Sequence, residues 1–139
     1  MASTTYPKFK QSMINGDSNV SLAGSGSTGV WAALIDTGTT AYSSVHQFYS
    51  DISSAIIGTP VELATGKTYT GGLFDADDVT FTSVSGASVE AIILYVKNVG
   101  ANTTWRLFSF IDQATSGLPV TPNGGNITIT WNASGIVQL

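Results

Sequence analysis

The chain of 139 residues is predicted to fold as one all-β domain with two short helices, an antiparallel β-sandwich that is plain or jelly-roll-like. Apolar and polar residues alternate with a period of two in much of the chain after Pro60, as in strands with one buried face. Glycine, asparagine, serine and threonine separate the apolar segments, as turn residues do. Helical spacing is confined to two short segments before residue 53. The length suits a single core, so the domain is assigned to residues 1–139.

The first helix is predicted over residues 6–14. Pro7 suits the first helical position, and Phe9 and Met13 lie four residues apart on one helix face. The sequence Asn15-Gly16-Asp17 is a typical helix stop. We expect this helix to cover one end of a sheet.

The second helix is predicted over residues 43–52. Ser44 can cap its N-terminus, with Gln47 three residues later as in a capping box. His46, the only histidine, would lie in the first turn, where the helix dipole favours its neutral form. The apolar residues at helical spacing are Val45, Phe48, Tyr49 and Ile52.

The remaining elements are predicted to be strands. Residues 89–96 form a continuous apolar and branched segment, which is typical of a central strand covered on both faces. A turn at residues 132–135 is expected to fold the last segment back on its predecessor as a terminal hairpin. In chain order the predicted strands cover residues 30–35, 61–63, 79–81, 89–96, 104–111, 127–131 and 136–139.

Composition excludes several classes of function. Only 10% of residues are charged, and the five lysines and arginines are scattered, so no basic patch is present to bind nucleic acid. The chain has no cysteine, which excludes disulfides and thiolate chemistry. No apolar segment is long enough to span a bilayer, and the N-terminus lacks a signal-peptide pattern. We therefore expect a protein made in the cytoplasm, without a membrane partner.

The segment Phe74-Asp75-Ala76-Asp77-Asp78-Val79-Thr80-Phe81 has the densest acidic cluster. Asp75, Asp77 and Asp78 are a weak calcium candidate, because hard cations bind several carboxylates at short spacing. An EF-hand loop starting at Asp75 would need glutamate at its twelfth position, which is Gly86. Aspartate is also favoured in turns, so we favour a solvent-facing turn that begins a strand in which Val79 and Phe81 point inward.

The sequence predicts no enzyme, no catalytic residues and no cofactor. A catalytic triad would have to use His46, and no Gly-x-Ser-x-Gly segment is present. A glycosidase could pair Glu90 with one of the acidic-cluster carboxylates, but the two groups would have to face each other across a cleft.

Aromatic residues are the main candidates for contact with partners. Trp31, Trp105 and Trp131 lie in predicted strands, where core packing is favoured over a sugar-binding platform. Tyrosines near element ends suit an interface, because their rings can be buried while the hydroxyl stays hydrated. The proposed partner contacts are Tyr6, Phe9, Tyr42 and Tyr49, and Tyr69 is a further exposed candidate.

Several segments, taken in their order along the chain, resemble small virion structural proteins of tailed bacteriophages, of the capsid decoration or cement type. The resemblance covers nearly the whole chain and depends on serial order, since no single segment is specific. Two loops, residues 21–27 and 118–122, depart from the pattern. The matching segments are YPKFK (6–10), HQFYSDI (46–52), YTGG (69–72), FDADDVTF (74–81), AIILY (91–95), FID (110–112), GNITITW (125–131) and GI (135–136).

The resemblance implies a non-enzymatic protein on the capsid exterior, made in the bacterial host cytoplasm. Its partner would be the major capsid protein, bound as a dimer or trimer so that weak contacts multiply over the lattice. Two alternatives stay open. One is a recognition module of the tail or fibre that binds host glycan or protein, and the other is a tail-tube or head-completion subunit.

Overall fold

The computed structural model describes residues 4–112 and 118–139. This part of the chain is mostly β, with antiparallel sheets, one α-helix and short 3-10 turns, which confirms the predicted class at that level. Residues 1–3, part of the N-terminus judged to lack a signal peptide, lie outside it. In chain order the elements are β1 Thr4–Thr5, α1 Pro7–Asn15, β2 Val30–Ile35, β3 Ile56–Glu62, β4 Leu73–Phe74, β5 Val79–Phe81, β6 Ala91–Val96, β7 Arg106–Ile111, β8 Ile127–Ile129 and β9 Val137–Gln138.

The largest sheet has five strands in the order β1-β7-β6-β2-β3, with every neighbouring pair antiparallel. All six residues of its middle strand, β6, are buried. A strand covered on both faces needs apolar residues at every position, and Ala91–Val96 supplies them. The prediction of a central strand at this place is confirmed.

Helix α1 begins at Pro7 and ends at Asn15, one residue later at each end than predicted. Gly16 adopts a left-handed conformation with φ of 70° and donates its N–H to the Met13 carbonyl, while Asp17 N donates to Ser12 O at 2.9 Å. This arrangement is a glycine C-cap that satisfies the last carbonyls of the helix. Phe9 anchors the helix on the sheet through Phe108, with ring centroids 4.9 Å apart.

The helix predicted at residues 43–52 is wrong. Residues 47–49 are extended and pair with β7: Leu107 N donates to Gln47 O at 2.9 Å, and Tyr49 N donates to Trp105 O at 2.8 Å. Two 3-10 turns follow, Tyr49–Asp51 and Ser53–Ala55. Pairing with the part of β7 that β1 leaves unpaired outweighs the helical spacing, as tertiary contacts often outweigh propensity. His46 therefore has no helical turn around it.

The predicted terminal hairpin is also wrong in its pairing. The turn at residues 132–135 forms, with Gly135 N donating to Asn132 O at 2.9 Å. Beyond it, β9 pairs with β4 at Phe74↔Val137, whereas β8 pairs with β5 at Val79↔Ile129. The chain therefore crosses between two small sheets instead of folding back on β8.

The two small sheets pack against the large one. Phe74 of β4 meets Phe108 of β7 edge to face, with centroids 5.6 Å apart. A Cβ added to Gly58 in β3 would lie 3.4 Å from Val84, which follows β5. These contacts join all three sheets in one apolar core.

Candidate functional site

The acidic cluster forms a turn that is anchored to the end of β8. Asp78 Oδ1 accepts a hydrogen bond from Trp131 N at 2.9 Å, and Asp77 O accepts one from Trp131 Nε1 at 3.1 Å. Val79 and Phe81 are buried, as predicted. The cluster thus positions a strand and a tryptophan.

The side chains of the calcium candidate, Asp75, Asp77 and Asp78, do not form a group of metal ligands. In residues 4–112 and 118–139, no three histidine, cysteine, aspartate or glutamate side chains are grouped to hold a metal ion. Asp75 instead pairs its backbone with Thr68, and one carboxylate oxygen of Asp78 is used by Trp131. Glu90 binds Thr37, whose N and Oγ1 donate to Glu90 Oε1 at 3.1 and 3.0 Å.

Two of the four proposed contact residues lie in the core. Tyr6 and Phe9 are 0% and 1% exposed, so they cannot be the contact residues that the sequence predicted. Tyr6 directly follows β1, which pairs with β7 at the edge of the large sheet, and its ring packs against Tyr42 with centroids 5.4 Å apart. Burial is the main cause that raises the pKa of Tyr6 above its ordinary value, with the nearby Tyr42 and Asp51 adding to it.

Tyr42 and Tyr49 are partly buried and pack against the core. Tyr49 lies between Tyr95 and Trp105, with centroid distances of 4.7 and 5.2 Å, and burial raises its pKa. Tyr42 packs on Phe110 at 5.3 Å. These two residues therefore offer only part of their surface to a partner.

The tryptophans divide into one buried and two partly exposed residues. Trp131 is buried, in agreement with the core interpretation. Lys97 lies over both of the others, with Nζ 4.5 Å from the Trp31 ring centroid and 4.7 Å from that of Trp105. One face of each of these rings is thus covered by the lysine within the fold.

A surface depression with a volume of about 580 Å³ lies beside the β6–β7 connection. The turn after α1 forms one side, and Phe48 of the extended segment forms another. The lining residues are Ser18, Asn19, Phe48, Asn98, Val99, Gly100, Thr104 and Arg106.

Arg106 lines this depression and connects it to the segment after α1. Its side chain is largely buried, and it donates to Ser18 O at 3.0 Å and to Ser12 Oγ at 2.9 Å. It also pairs with Asp17 at 3.8 Å and lies 5.5 Å from the Phe48 ring centroid. The guanidinium is thus engaged within the protein, which makes it a structural group here.

One exposed aliphatic side chain lines the depression, and two more lie close in sequence to lining residues. Val99 lines it and is 86% exposed. Val45, which is 70% exposed, precedes Phe48 by three residues, and Ile14, which is 86% exposed, precedes Ser18 by four. We call the depression together with Ile14, Val45 and Val99 the end surface. The sequence analysis missed it because these residues come from three separate segments with no common periodicity.

No protein-family model matches the chain, and no curated protein matches it. Within the part of the chain that the structure describes, no helix has the length and apolarity to cross a membrane.

Proposed function

We propose that the chain is a non-enzymatic decoration (cement) protein of a tailed-bacteriophage head. It is made in the host cytoplasm, binds the major capsid protein on the outside of the head lattice and stabilises it. The three sheets are proposed to form a β-sandwich or jelly-roll-like body. The observation that carries the proposal is the end surface, where Val99 is 86% exposed at the depression and Ile14 and Val45 are also exposed. The resemblance of the segments, in their order along the chain, to virion structural proteins of tailed bacteriophages supports the same role.

The end surface suits weak contacts that are repeated many times. Burying Ile14, Val45 and Val99 would contribute roughly 4.5–9 kcal/mol before the cost of association is subtracted, at about 1.5–3 kcal/mol for each side chain. The net affinity of a single contact is therefore modest. A dimer or trimer that binds equivalent lattice positions would raise the apparent affinity through effective concentration.

Substitution on the end surface tests the proposal. Expanded heads that lack the protein are incubated with the purified chain and sedimented. The wild type is expected to sediment with the heads and to raise the temperature at which they break open. Val99→Asp places a charge at the proposed contact and is expected to weaken binding at least tenfold.

Ala87→Asp is the matched control. Ala87 is exposed in the loop that enters β6, at the opposite end of that strand from Val99. It adds the same charge and should bind like the wild type. Equal binding by Val99→Asp and the wild type, or no binding by the wild type, would contradict the proposal.

The second candidate is a recognition module of a tail or fibre. The observation that favours it is the placement of Trp31 and Trp105 near the surface, on either side of Lys97. Aromatic faces bind sugar rings when they are free, and here a sugar would have to displace Lys97, since Tyr95 also stacks on Trp105. A saccharide that quenches tryptophan fluorescence at millimolar concentration, more strongly in Lys97→Ala than in the wild type, would favour this candidate.

A further inference from the structure

A second surface, distinct from the end surface, lies between two strand edges. Strand β1 ends the large sheet and β9 ends the β4–β9 pair, and the two strands are not paired with each other. A cavity of about 320 Å³ separates them. We call it the edge cleft; it is lined by β1, β9, Ile136, Ser109 of β7 and Lys10 of α1. It shares no lining residue with the end surface.

The backbone of Thr5 faces into this cleft. Thr5 is opposite Ser109 in the β1–β7 pair, and Tyr6 N donates to Phe108 O at 3.0 Å. In an antiparallel ladder, hydrogen-bonded and non-hydrogen-bonded pairs alternate along the strand. Because Tyr6 belongs to a hydrogen-bonded pair, Thr5 before it belongs to a non-hydrogen-bonded pair, whose N–H and C=O point away from the partner strand. The Thr5 N–H and C=O therefore point outward from β7; the residue is 6% exposed, and its carbonyl also accepts a hydrogen bond from Thr4 Oγ1 at 3.4 Å.

Gln138 presents the same arrangement from the other side. It is opposite Leu73, and Leu139 N donates to Gly72 O at 2.9 Å, so the Gln138 backbone N–H and C=O point away from β4. Its side-chain amide is used elsewhere, since Nε2 donates to Gly71 O and Leu139 O. The cleft is thus bordered by outward-facing backbone groups of two strands.

The charge of the cleft comes from Lys10. Lys10 is exposed, and within residues 4–112 and 118–139 its side-chain ammonium makes no hydrogen bond or ion pair. Helix α1 has no acidic residue, and Lys8 adds a second positive charge on it. A ligand segment with a carboxylate would therefore complement the cleft.

We propose that the edge cleft binds an extended segment of a partner protein that carries an acidic side chain. The segment adds as a strand beside β1 and β9, takes up the outward backbone groups of Thr5 and Gln138, and places its carboxylate at Lys10. Addition of a strand to an open sheet edge is a common mode of peptide recognition. The end surface does not take part, so this inference goes beyond the proposed function and can be tested without phage heads.

The probe is the synthetic peptide acetyl-Thr-Val-Thr-Glu-Val-Thr-Val-amide, titrated into the full ¹⁵N-labelled chain. The amide signals of Thr5 and Gln138 are expected to shift and saturate at millimolar or lower peptide concentration. A peptide with lysine in place of glutamate should bind at least tenfold more weakly. Absence of saturation, saturation without shifts at those two amides, or equal binding of both peptides would overturn the proposal.

Two variants locate the binding. Thr5→Pro removes an N–H that points into the cleft and leaves the ladder to β7 in place, so it should weaken the peptide at least fivefold. Lys10→Gln, a surface change that keeps the fold, should weaken it by a similar factor even if Thr5→Pro unfolds. Unchanged affinity in Lys10→Gln would overturn the proposal. So would shifts of Thr5 and Gln138 that depend on protein concentration without peptide, because a second copy would then fill the cleft.

Discussion

The side chain of Lys97 packs against two tryptophan rings, unlike that of an ordinary surface lysine. Its ammonium lies over two indole rings, and each such contact contributes about 0.5–1 kcal/mol at a partly exposed position. Lys97→Ala is therefore expected to lower the free energy of unfolding in urea by about 1–2 kcal/mol. Lys97→Arg keeps the cation and should lose less than half of that. An alanine variant as stable as the wild type would show that the two contacts contribute nothing.

Buried tyrosines make stability depend on alkaline pH. Burial is the main cause that raises the pKa of Tyr6 and Tyr95 above their ordinary value, so in the folded state both stay protonated where the unfolded chain ionises. Stability from this source is complete below about pH 10 and decreases as pH rises toward the folded-state pKa values, by up to roughly 2.7 kcal/mol per pH unit for two groups. The urea midpoint measured at pH 8, 10.5 and 11.5 should decrease accordingly.

Tyr6→Phe is the control for this dependence. It should reduce the slope above pH 10 by about half. Tyr6 Oη is buried and has no hydrogen-bond partner, so its removal should leave stability at pH 8 unchanged or slightly higher. A wild-type midpoint that is constant from pH 8 to 11.5 would contradict the assignment.

The sequence predicts the burial of Val79 and Phe81 correctly and misses that of Tyr6 and Phe9. The alternating pattern at Val79 and Phe81 is local, so a sequence displays it. The burial of Tyr6 and Phe9 depends on β1 pairing with β7, about a hundred residues away, and nothing in the polar N-terminus indicates that pairing. Exposure of Val99 is equally invisible, because one apolar residue in a loop has no periodicity.

At the scale of elements, the turn that holds the acidic cluster provides a sharp test. Gly66 has φ of +67°, and an added Cβ would lie too close to the Asp77 carboxylate. The carboxylate is the end of an exposed side chain and can rotate away, so Gly66→Ala should lower the free energy of unfolding by about 1–2 kcal/mol, from the left-handed backbone. Thermal or urea unfolding measures the loss.

Gly71→Ala is the matched control for this substitution. Gly71 has the same φ of +67°, but an added Cβ would meet nothing within 4 Å. Only the left-handed backbone is then penalised, at about 1–2 kcal/mol. Similar losses are expected in the two variants, and a clearly larger loss in Gly66→Ala would show that the Asp77 side chain is held firmly against the Gly66 turn.

The strand predictions succeeded where a period-two or continuous apolar pattern had no competitor, as at Val30–Ile35 and Ala91–Val96. The helix prediction for residues 43–52 is wrong because helix formation and pairing with the unpaired part of β7 compete for the same backbone groups. Asp51 settles the local outcome, since its Oδ2 accepts the N–H groups of Gln47 and Phe48 at 2.8 and 2.9 Å and so supports a turn. The terminal strand failed for a related reason: Trp131 is held by the acidic turn, so the chain leaves β8 and reaches β4.

At the scale of the whole molecule, low charge predicts how binding to heads responds to salt. Only 10% of residues are charged, and the end surface exposes aliphatic groups while its arginine is engaged internally. Salt screens ion pairs and leaves apolar contacts largely intact. The affinity for expanded heads should therefore change less than threefold between 50 and 500 mM sodium chloride, as measured by sedimentation. A tenfold or larger loss would indicate an electrostatic interface.

The number of copies per virion tests the proposed function most directly. A decoration protein occupies repeated positions over the head lattice, whereas a tail-tube, head-completion or fibre protein occurs in ring-sized or fibre-sized numbers. Quantitative mass spectrometry of purified virions, with the major capsid protein as internal standard, gives the ratio. The account predicts hundreds of copies that are retained on isolated heads. A ring-sized count, or copies found only on isolated tails, would contradict it.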